Sequence, residues 1–346
     1  MPVDCHLLIP ALFIDALKGA EYRDLRTPAL QILLALADMR PAIADRYHEW
    51  LAKRFGMSMG ENIPVAPITA SDDGHEPGKN FWLRADPVHL RIQRDQIVLF
   101  DARIAPLKQD EADSLCNSLN LHFAHDGLQF IAAVSDRWYL KLDAGPALST
   151  TILDLACGKN IETLMPWGTD SHLWRQRMNE IQMLLFEHPV NAAREARREL
   201  PINSVWFWGG GFMPQNVRGD FTQVFCDEIF SCGLVRAAKI SLQPLPQNFQ
   251  KISEAISKQA FTNNKILIII KYLCCSMLYA DINKWRTSLE QLEDDWFAPL
   301  LHALKSGAIN SVTITATDVN RPKDFVITRN SLRKFWRRVK PIANYA

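Results

Sequence analysis

The second half of the chain alternates short apolar runs with helical segments, and this alternation constrains the fold more than any other feature. The apolar runs occupy residues 205–208, 222–225, 265–270 and 312–315. They are largely hydrophobic throughout rather than at every second position, which is typical of strands buried on both faces. Strands that alternate with helices form parallel sheets covered by helices. The sequence therefore predicts an α/β fold with a mostly parallel sheet.

The first 200 residues indicate how the chain is divided into domains. An apolar run at residues 6–9 is expected to join this sheet, and helices are predicted at 27–39 and 44–55. A stretch rich in Pro, Gly and Asp at 56–79 predicts a linker or an exposed crossing between domains. Short β-like runs around one predicted helix between residues 81 and 142 indicate that this segment has an α+β fold. We therefore predict a discontinuous α/β domain, residues 1–75 and 201–346, with an inserted α+β domain at 76–200. In this arrangement, strand 205–208 lies inside the main sheet.

Composition narrows the class of protein. Lys and Arg number 39 against 38 Asp and Glu, so no net field draws the chain to nucleic acid or membrane. The seven cysteines are scattered, without zinc-type spacing, which favours reduced thiols in the cytoplasm. The start of the chain lacks the pattern of a signal peptide, and the most apolar stretch, Ile266–Ala280, is interrupted by Lys271. A cytoplasmic protein that binds no membrane is expected.

The C-terminal segment 329–340 is basic around three apolar residues, Leu332, Trp336 and Val339. This spacing predicts a helix that docks by its apolar side and leaves a solvated basic side. A nucleic acid or an acidic partner could bind such a face, but a solvated face is the favoured interpretation, and nucleic acid is not the expected partner.

Several motifs carry a family resemblance. The segments His-Pro-Val-Asn at 188–191 and Asn-Ser-Val-Trp-Phe-Trp-Gly-Gly-Gly at 203–211 resemble blocks of the archaeal-type cofactor-independent phosphoglycerate mutases of the alkaline phosphatase superfamily. Weaker echoes lie at 27–30, 82–86 and 230–238. The chain also resembles a bacterial group of proteins of suggested regulatory role that share Trp-Leu-Arg-Ala-Asp-Pro-Val-His-Leu, a distant branch of these mutases. The resemblance implies an alkaline-phosphatase-like α/β domain with an inserted domain.

The residues that the resemblance implies for catalysis are largely missing. Such mutases transfer a phosphoryl group through a serine held by two divalent metals, which Asp and His side chains bind. The first strand of this chain continues Leu8-Ile9-Pro10-Ala11, with no carboxylate at its end. The late Asp-Glu-Ala-Gly-His element is replaced by residues 271–275, Lys-Tyr-Leu-Cys-Cys. Adjacent cysteines make a poor chelate, so we expect Cys274 and Cys275 to pack in the core.

The C-terminal Asp-His-Ser-Thr-Pro element of the family is also altered. Here it reads Asp318-Val319-Asn320-Arg321-Pro322, with valine in place of the imidazole ligand. One aspartate cannot hold two metals, so a turn or a helix cap is the favoured role of Asp318. The prediction is no catalytic residue, no bound metal and no cofactor, with manganese or zinc as the alternative.

Polar residues are retained elsewhere, and they define a candidate anion site. Guanidinium groups bind phosphate and carboxylate in bidentate fashion, so Arg84 facing Arg194 across a cleft between the domains would hold a small anion. The predicted ligand-binding residues are Arg84, Asp86, His188, Asn191, Arg194 and Trp208. Structural alternatives remain open: Arg84 and Asp86 form an ion pair on a strand, and residues 194–198 form a solvated helical face.

Two functional hypotheses follow. The first is a catalytically degenerate, phosphoglycerate-mutase-like protein that regulates or binds, with a small phosphorylated or carboxylated metabolite or a protein as partner. The second is an active, metal-dependent phosphoglycerate mutase or phosphatase with relocated ligands. The altered metal elements favour the first hypothesis.

Overall fold

The computed structural model describes residues 3–14, 24–57, 62–258 and 265–345. The chain divides into two compact units, of which unit 1 comprises Met1–Ser58 and Asn216–Ala346, and unit 2 comprises Met59–Gln215. Within the described residues, no helix is both long and apolar enough to cross a lipid bilayer.

The elements follow one another in chain order. The N-terminal part of unit 1 contains β1 (Asp4–Leu8), α1 (Pro28–Leu36), β2 (Asp38–Pro41) and α2 (Tyr47–Arg54). Unit 2 contains α3 (Val65–Asp72), β3 (Phe81–Gln93), β4 (Gln96–Phe100), α4 (Gln109–His122), β5 (Gln129–Val134), β6 (Arg137–Leu142), α5 (Leu153–Ala156), α6 (Ser171–Phe186), α7 (Pro189–Ala196) and β7 (Ser204–Gly211). The C-terminal part of unit 1 contains β8 (Gln223–Phe225), α8 (Ile229–Ala237), β9 (Ser241–Gln243), α9 (Phe249–Lys258), β10 (Lys265–Ile269), α10 (Tyr272–Leu278), α11 (Ile282–Leu292), α12 (Ala298–Ser306), β11 (Ser311–Ala316) and β12 (Lys323–Thr328).

Unit 1 is built on a seven-stranded sheet in the order β2-β12-β11-β1-β10-β8-β9. The strands from β11 to β9 are parallel, and at one edge β12 pairs antiparallel with both β11 and β2. Leu7, Ile268 and Ile314 form one row across three central strands, and each is fully buried. Helices α1, α11 and α12 cover this face, and Trp50 of α2 packs against His6 on the other. The predicted α/β fold with a mostly parallel sheet is confirmed.

Unit 2 contains an antiparallel sheet in the order β4-β3-β6-β5, with β7 paired to β3. The prediction that strand 205–208 lies inside the main sheet is therefore wrong. Strand β7 is apolar on both faces because two helices cover it: Phe207 packs against Trp174 of α6, while Gly209 lies so close to α3 that an added Cβ would be 2.9 Å from that of Val65. Burial on both faces therefore did not mark a parallel strand here. Helix α3 itself lies in the predicted linker.

The C-terminal segment differs from its predicted form. A short 3₁₀ helix at Arg329–Arg333 is followed by turns, and Trp336 is 66% exposed. Polar contacts hold the segment: Lys334 and Arg337 each bind Asp38 of β2 at 2.8 Å. The predicted docking of Trp336 and Val339 by an apolar stripe is wrong, because these ion pairs fix the segment along the edge strand instead.

Candidate functional site

Arg84, Asp86 and Trp208 lie together on one face of the unit 2 sheet. Alternate residues of a strand face the same side, so Arg84 and Asp86 are neighbours on β3. The Arg84 Nε and Nη2 groups donate to Asp86 Oδ1 at 3.0 and 2.6 Å, and Trp208 Nε1 donates to Oδ2 at 2.7 Å. The guanidinium also lies over the rings of Trp208 and Tyr139, at 5.1 and 5.4 Å from their centroids. We call these four residues the Arg84 cluster.

The Arg84 cluster is buried. Arg84 is 7% exposed and Asp86 is 1% exposed. Burial raises the pKa of Asp86, although the guanidinium and the hydrogen bonds from Trp208 and the Trp138 amide act in the opposite direction. This is the ion pair on a strand that the sequence left open as the structural alternative.

Arg194, Asn191 and His188 belong to the helices of unit 2. Arg194 is 1% exposed and donates to Glu111 Oε2 at 2.7 Å and to the carbonyls of Pro106 and Leu200 at 2.9 Å each. The alternative that this residue lies on a solvated helical face is therefore wrong.

Asn191 and His188 are likewise engaged with the chain. The Asn191 amide nitrogen donates to the carbonyls of Leu185 and Ile202 at 2.7 and 2.8 Å. His188 Nδ1 accepts from the Val190 amide at 3.1 Å and so caps α7, while its Nε2 lies 2.9 Å from Ser118 Oγ. Asn191 thus links the end of α6 to the residues before β7, and His188 links the start of α7 to α4.

The structure separates the two arginines that were predicted to face each other. Arg84 and Tyr139 lie on the sheet face that α3 covers. Phe207 and Phe130 lie on the opposite face, where they pack against Trp174 of α6 and Phe123 at the end of α4. Arg194 binds Glu111 of this same α4. The predicted pairing of Arg84 and Arg194 is wrong, because opposite faces of one sheet hold them. Anion binding by either residue remains a prediction.

A second set of polar residues meets at the carboxyl ends of the parallel strands in unit 1. Lys271 follows β10, Glu228 follows β8, and Asp318 follows β11. The Lys271 ammonium lies 4.8 Å from the centroid of the Tyr47 ring, and Tyr47 Oη donates to Glu228 Oε2 at 2.8 Å. Ser231 hydrogen-bonds to both Tyr47 and Glu228. We call Tyr47, Glu228, Ser231, Lys271 and Asp318 the carboxyl-edge site.

The electrostatics of the carboxyl-edge site follow from this geometry. Burial favours the neutral form of Glu228, but the charges of Lys271 and His48 and the hydrogen bonds from Ser231 and Tyr47 outweigh it and lower the pKa of this carboxyl. Burial raises the pKa of Asp318, while the hydrogen bond from the Tyr47 amide opposes that shift. The lowered pKa favours the charged form of Glu228 beside Lys271.

Asp318 caps the start of α2, although the two are 271 residues apart along the chain. Its Oδ2 accepts from the backbone amide of Tyr47, the first residue of α2, at 3.0 Å, and from Thr317 Oγ1 at 3.2 Å. The cap interpretation made from the sequence agrees with this contact. Cys274 is half-buried and packs against the core of unit 1, as expected, whereas Cys275 is exposed, so the expectation of core packing is wrong for Cys275.

The donor groups of the carboxyl-edge site do not suit a pair of divalent cations. Both carboxylates accept hydrogen bonds from Tyr47, and an ammonium lies beside the same ring. Metal ligands must offer lone pairs, and a protonated amine offers none. Across residues 3–14, 24–57, 62–258 and 265–345, no three His, Cys, Asp or Glu side chains are grouped to hold a metal ion.

Tyr47, Glu228 and Ser231 are members of this site that the sequence did not indicate. Tyr47 is 181 residues from Glu228 along the chain. The only available signal was the position of Ser231 within the weak family echo at 230–238.

Comparisons with known proteins agree with the family resemblance. The 2,3-bisphosphoglycerate-independent phosphoglycerate mutase of Methanosarcina mazei is 26% identical over 155 residues, which cover 43% of this chain and 38% of that enzyme. The corresponding enzyme of Methanothrix thermoacetophila is 39% identical over 61 residues, covering 18% of this chain and 16% of that enzyme. The matches thus span well under two thirds of these relatives. No protein-family model matches the chain.

A solved structure shares the fold. A protein from Pyrococcus horikoshii superposes with a TM-score of 0.56 at 12% identity, covering 94% of this chain and 87% of that one. The chain is thus a distant homologue of archaeal-type phosphoglycerate mutases.

Proposed function

We propose that this distant relative of the phosphoglycerate mutases is a non-catalytic binding protein for a small phosphorylated or carboxylated anion. The observation that carries the proposal is the position of Lys271. Its ammonium follows β10, where the resemblance places an Asp-Glu-Ala-Gly-His metal element, and it lies 4.8 Å from the Tyr47 ring. In this proposal the Lys271 side chain takes the place of metal ligands.

The location suits a ligand site. In open α/β sheets, ligands bind outside the carboxyl ends of the parallel strands. The ammonium of Lys271 has three N–H donors, and such a group binds phosphate as a point charge. Glu228 Oε2 accepts hydrogen bonds from Tyr47 and Ser231 within the chain. In this proposal an incoming anion competes with the groups of the chain for the Lys271 ammonium.

Two-metal phosphoryl transfer is disfavoured by the same contacts. That chemistry requires carboxylates and imidazoles whose lone pairs point at the ions. Here Glu228 and Asp318 stabilise Tyr47 and the start of α2. We infer that the ligand site lies at the carboxyl ends of the parallel strands, where the resemblance places the metal element of the mutases. Lys271 would attract the anion there.

The direct test replaces Lys271 with methionine. A hydrogen bond to a charged group contributes about 1.5–3 kcal/mol, so Lys271→Met is expected to weaken binding of 3-phosphoglycerate about 10- to 100-fold in calorimetric titration. Lys265→Met is the matched control, because Lys265 begins the same strand but is exposed and pairs with Asp220 at 3.3 Å. Equal affinities in the two variants, or no heat from the unaltered protein, would contradict the proposal.

A further inference from the structure

Two cysteine thiols meet beside the carboxyl-edge site. Cys226 directly follows β8, and Cys232 lies in the first half of α8. Their sulfur atoms are 3.4 Å apart, and the Cys232 thiol also lies 3.6 Å from the Cys226 carbonyl. Both residues are buried, Cys226 at 2% and Cys232 at 8% exposure. Since the disulfide bond length is about 2.0 Å, only a small movement separates this contact from a bond.

We propose that Cys226 and Cys232 form a reversible disulfide when the protein meets hydrogen peroxide. The Cys232 sulfur attacks one peroxide oxygen, the O–O bond breaks, and a sulfenic acid and one water are formed. The Cys226 thiol then attacks the sulfenic sulfur, the S–O bond breaks, and a second water leaves as the S–S bond forms. The two sulfurs together give two electrons to the peroxide, and a dithiol reductant restores both thiols.

The surroundings favour Cys232 as the attacking thiol. A hydrogen bond from Cys226 stabilises the Cys232 thiolate and lowers the pKa of this thiol, and this effect outweighs the opposing effects of burial and of the Glu228 and Asp227 charges. The positive end of the α8 dipole acts in the same direction. Burial instead raises the pKa of Cys5, Cys116 and Cys157, so these thiols are protected from the same oxidant.

The position gives the modification a structural consequence. Residues 226–232 include Glu228, which accepts hydrogen bonds from Tyr47 and from the Ser231 amide. A disulfide across this segment constrains the loop that presents Glu228 to Tyr47. Oxidation of the two cysteines would thus change how Glu228 is held in the carboxyl-edge site. This consequence does not depend on whether the site binds an anion.

The experiment uses a Cys274→Ser, Cys275→Ser protein, which removes the two most accessible cysteines. Folded protein is treated with peroxide, quenched, denatured, alkylated and digested with trypsin. Both thiols lie in one tryptic peptide, residues 219–236, which has no internal Lys or Arg. We expect this peptide to resist alkylation and to be two hydrogen atoms lighter, and dithiothreitol to restore two alkylated cysteines.

Two variants in this background complete the test. Cys232→Ser is expected to abolish the change, while Cys116→Ser, which removes another buried thiol, should leave it intact. The same protein unfolded in urea shows that the oxidant is active. Two alkylated thiols in the folded protein, under conditions that oxidise the unfolded chain, would overturn the proposal, as would a disulfide that joins either cysteine to another peptide.

Discussion

Replacing Arg84 with alanine is expected to lower the free energy of unfolding by about 3–5 kcal/mol, because removing one partner of a buried ion pair leaves an uncompensated charge. Asp86 is 1% exposed and would keep only the hydrogen bonds from Trp208 and the Trp138 amide. Urea denaturation measures the change. Arg91→Ala is the matched control, because Arg91 lies on the same strand but is exposed, and it should change stability by less than about 0.5 kcal/mol.

The Arg84 experiment also distinguishes a ligand-binding role of Arg84 from a structural role. A stable Arg84→Ala protein that no longer binds phosphate would show that Arg84 serves a ligand, contrary to the ion-pair interpretation. A destabilised protein whose phosphate binding survives at low temperature would assign Arg84 to structure.

Arg194→Ala is expected to have an effect of similar size, about 3–5 kcal/mol, for a related reason. Arg194 is 1% exposed, and its loss removes donors from Glu111 and from two backbone carbonyls. Arg197 would remain as a partner of Glu111. The unfolding free energy should fall accordingly in thermal or urea denaturation.

Glu195→Ala provides the control for this helix. Glu195 is the next residue of α7 and is exposed, so its replacement should leave stability nearly unchanged. Equal, small effects of Arg194→Ala and Glu195→Ala would contradict the structural role of Arg194.

Local patterns predicted some of these features well. The apolar runs of β1, β10 and β11 indicated buried parallel strands, and one face of these strands is fully buried, whereas His6 and Thr313 on the other face are half-buried. The spacing of Arg84 and Asp86 placed both on one side of a strand, which left their ion pair open as an alternative to a ligand site. The run at 205–208 was assigned to the wrong sheet. Its hydrophobicity indicates that both faces of the strand are covered, but it does not indicate which strand pairs with this one.

Long-range partners could not be predicted in the same way. Glu111 and Arg194 are 83 residues apart, and Tyr47 and Glu228 are 181 residues apart. No periodicity relates such positions, and their pairing depends on how helices pack on the finished sheets. The departure of Lys271 from the family element was visible in the sequence, but its place beside Tyr47 was visible only in the structure.

One measurement tests the central proposal that the carboxyl-edge site attracts its ligand with Lys271 instead of metal ions. Purified protein, supplied with manganese or zinc, is assayed for interconversion of 3- and 2-phosphoglycerate with and without a chelator. The account predicts no turnover in either condition, because Glu228 and Asp318 are engaged with Tyr47 and Lys271 carries the positive charge. Turnover that appears with metal and disappears on chelation would contradict it and would identify the chain as an active metal-dependent mutase.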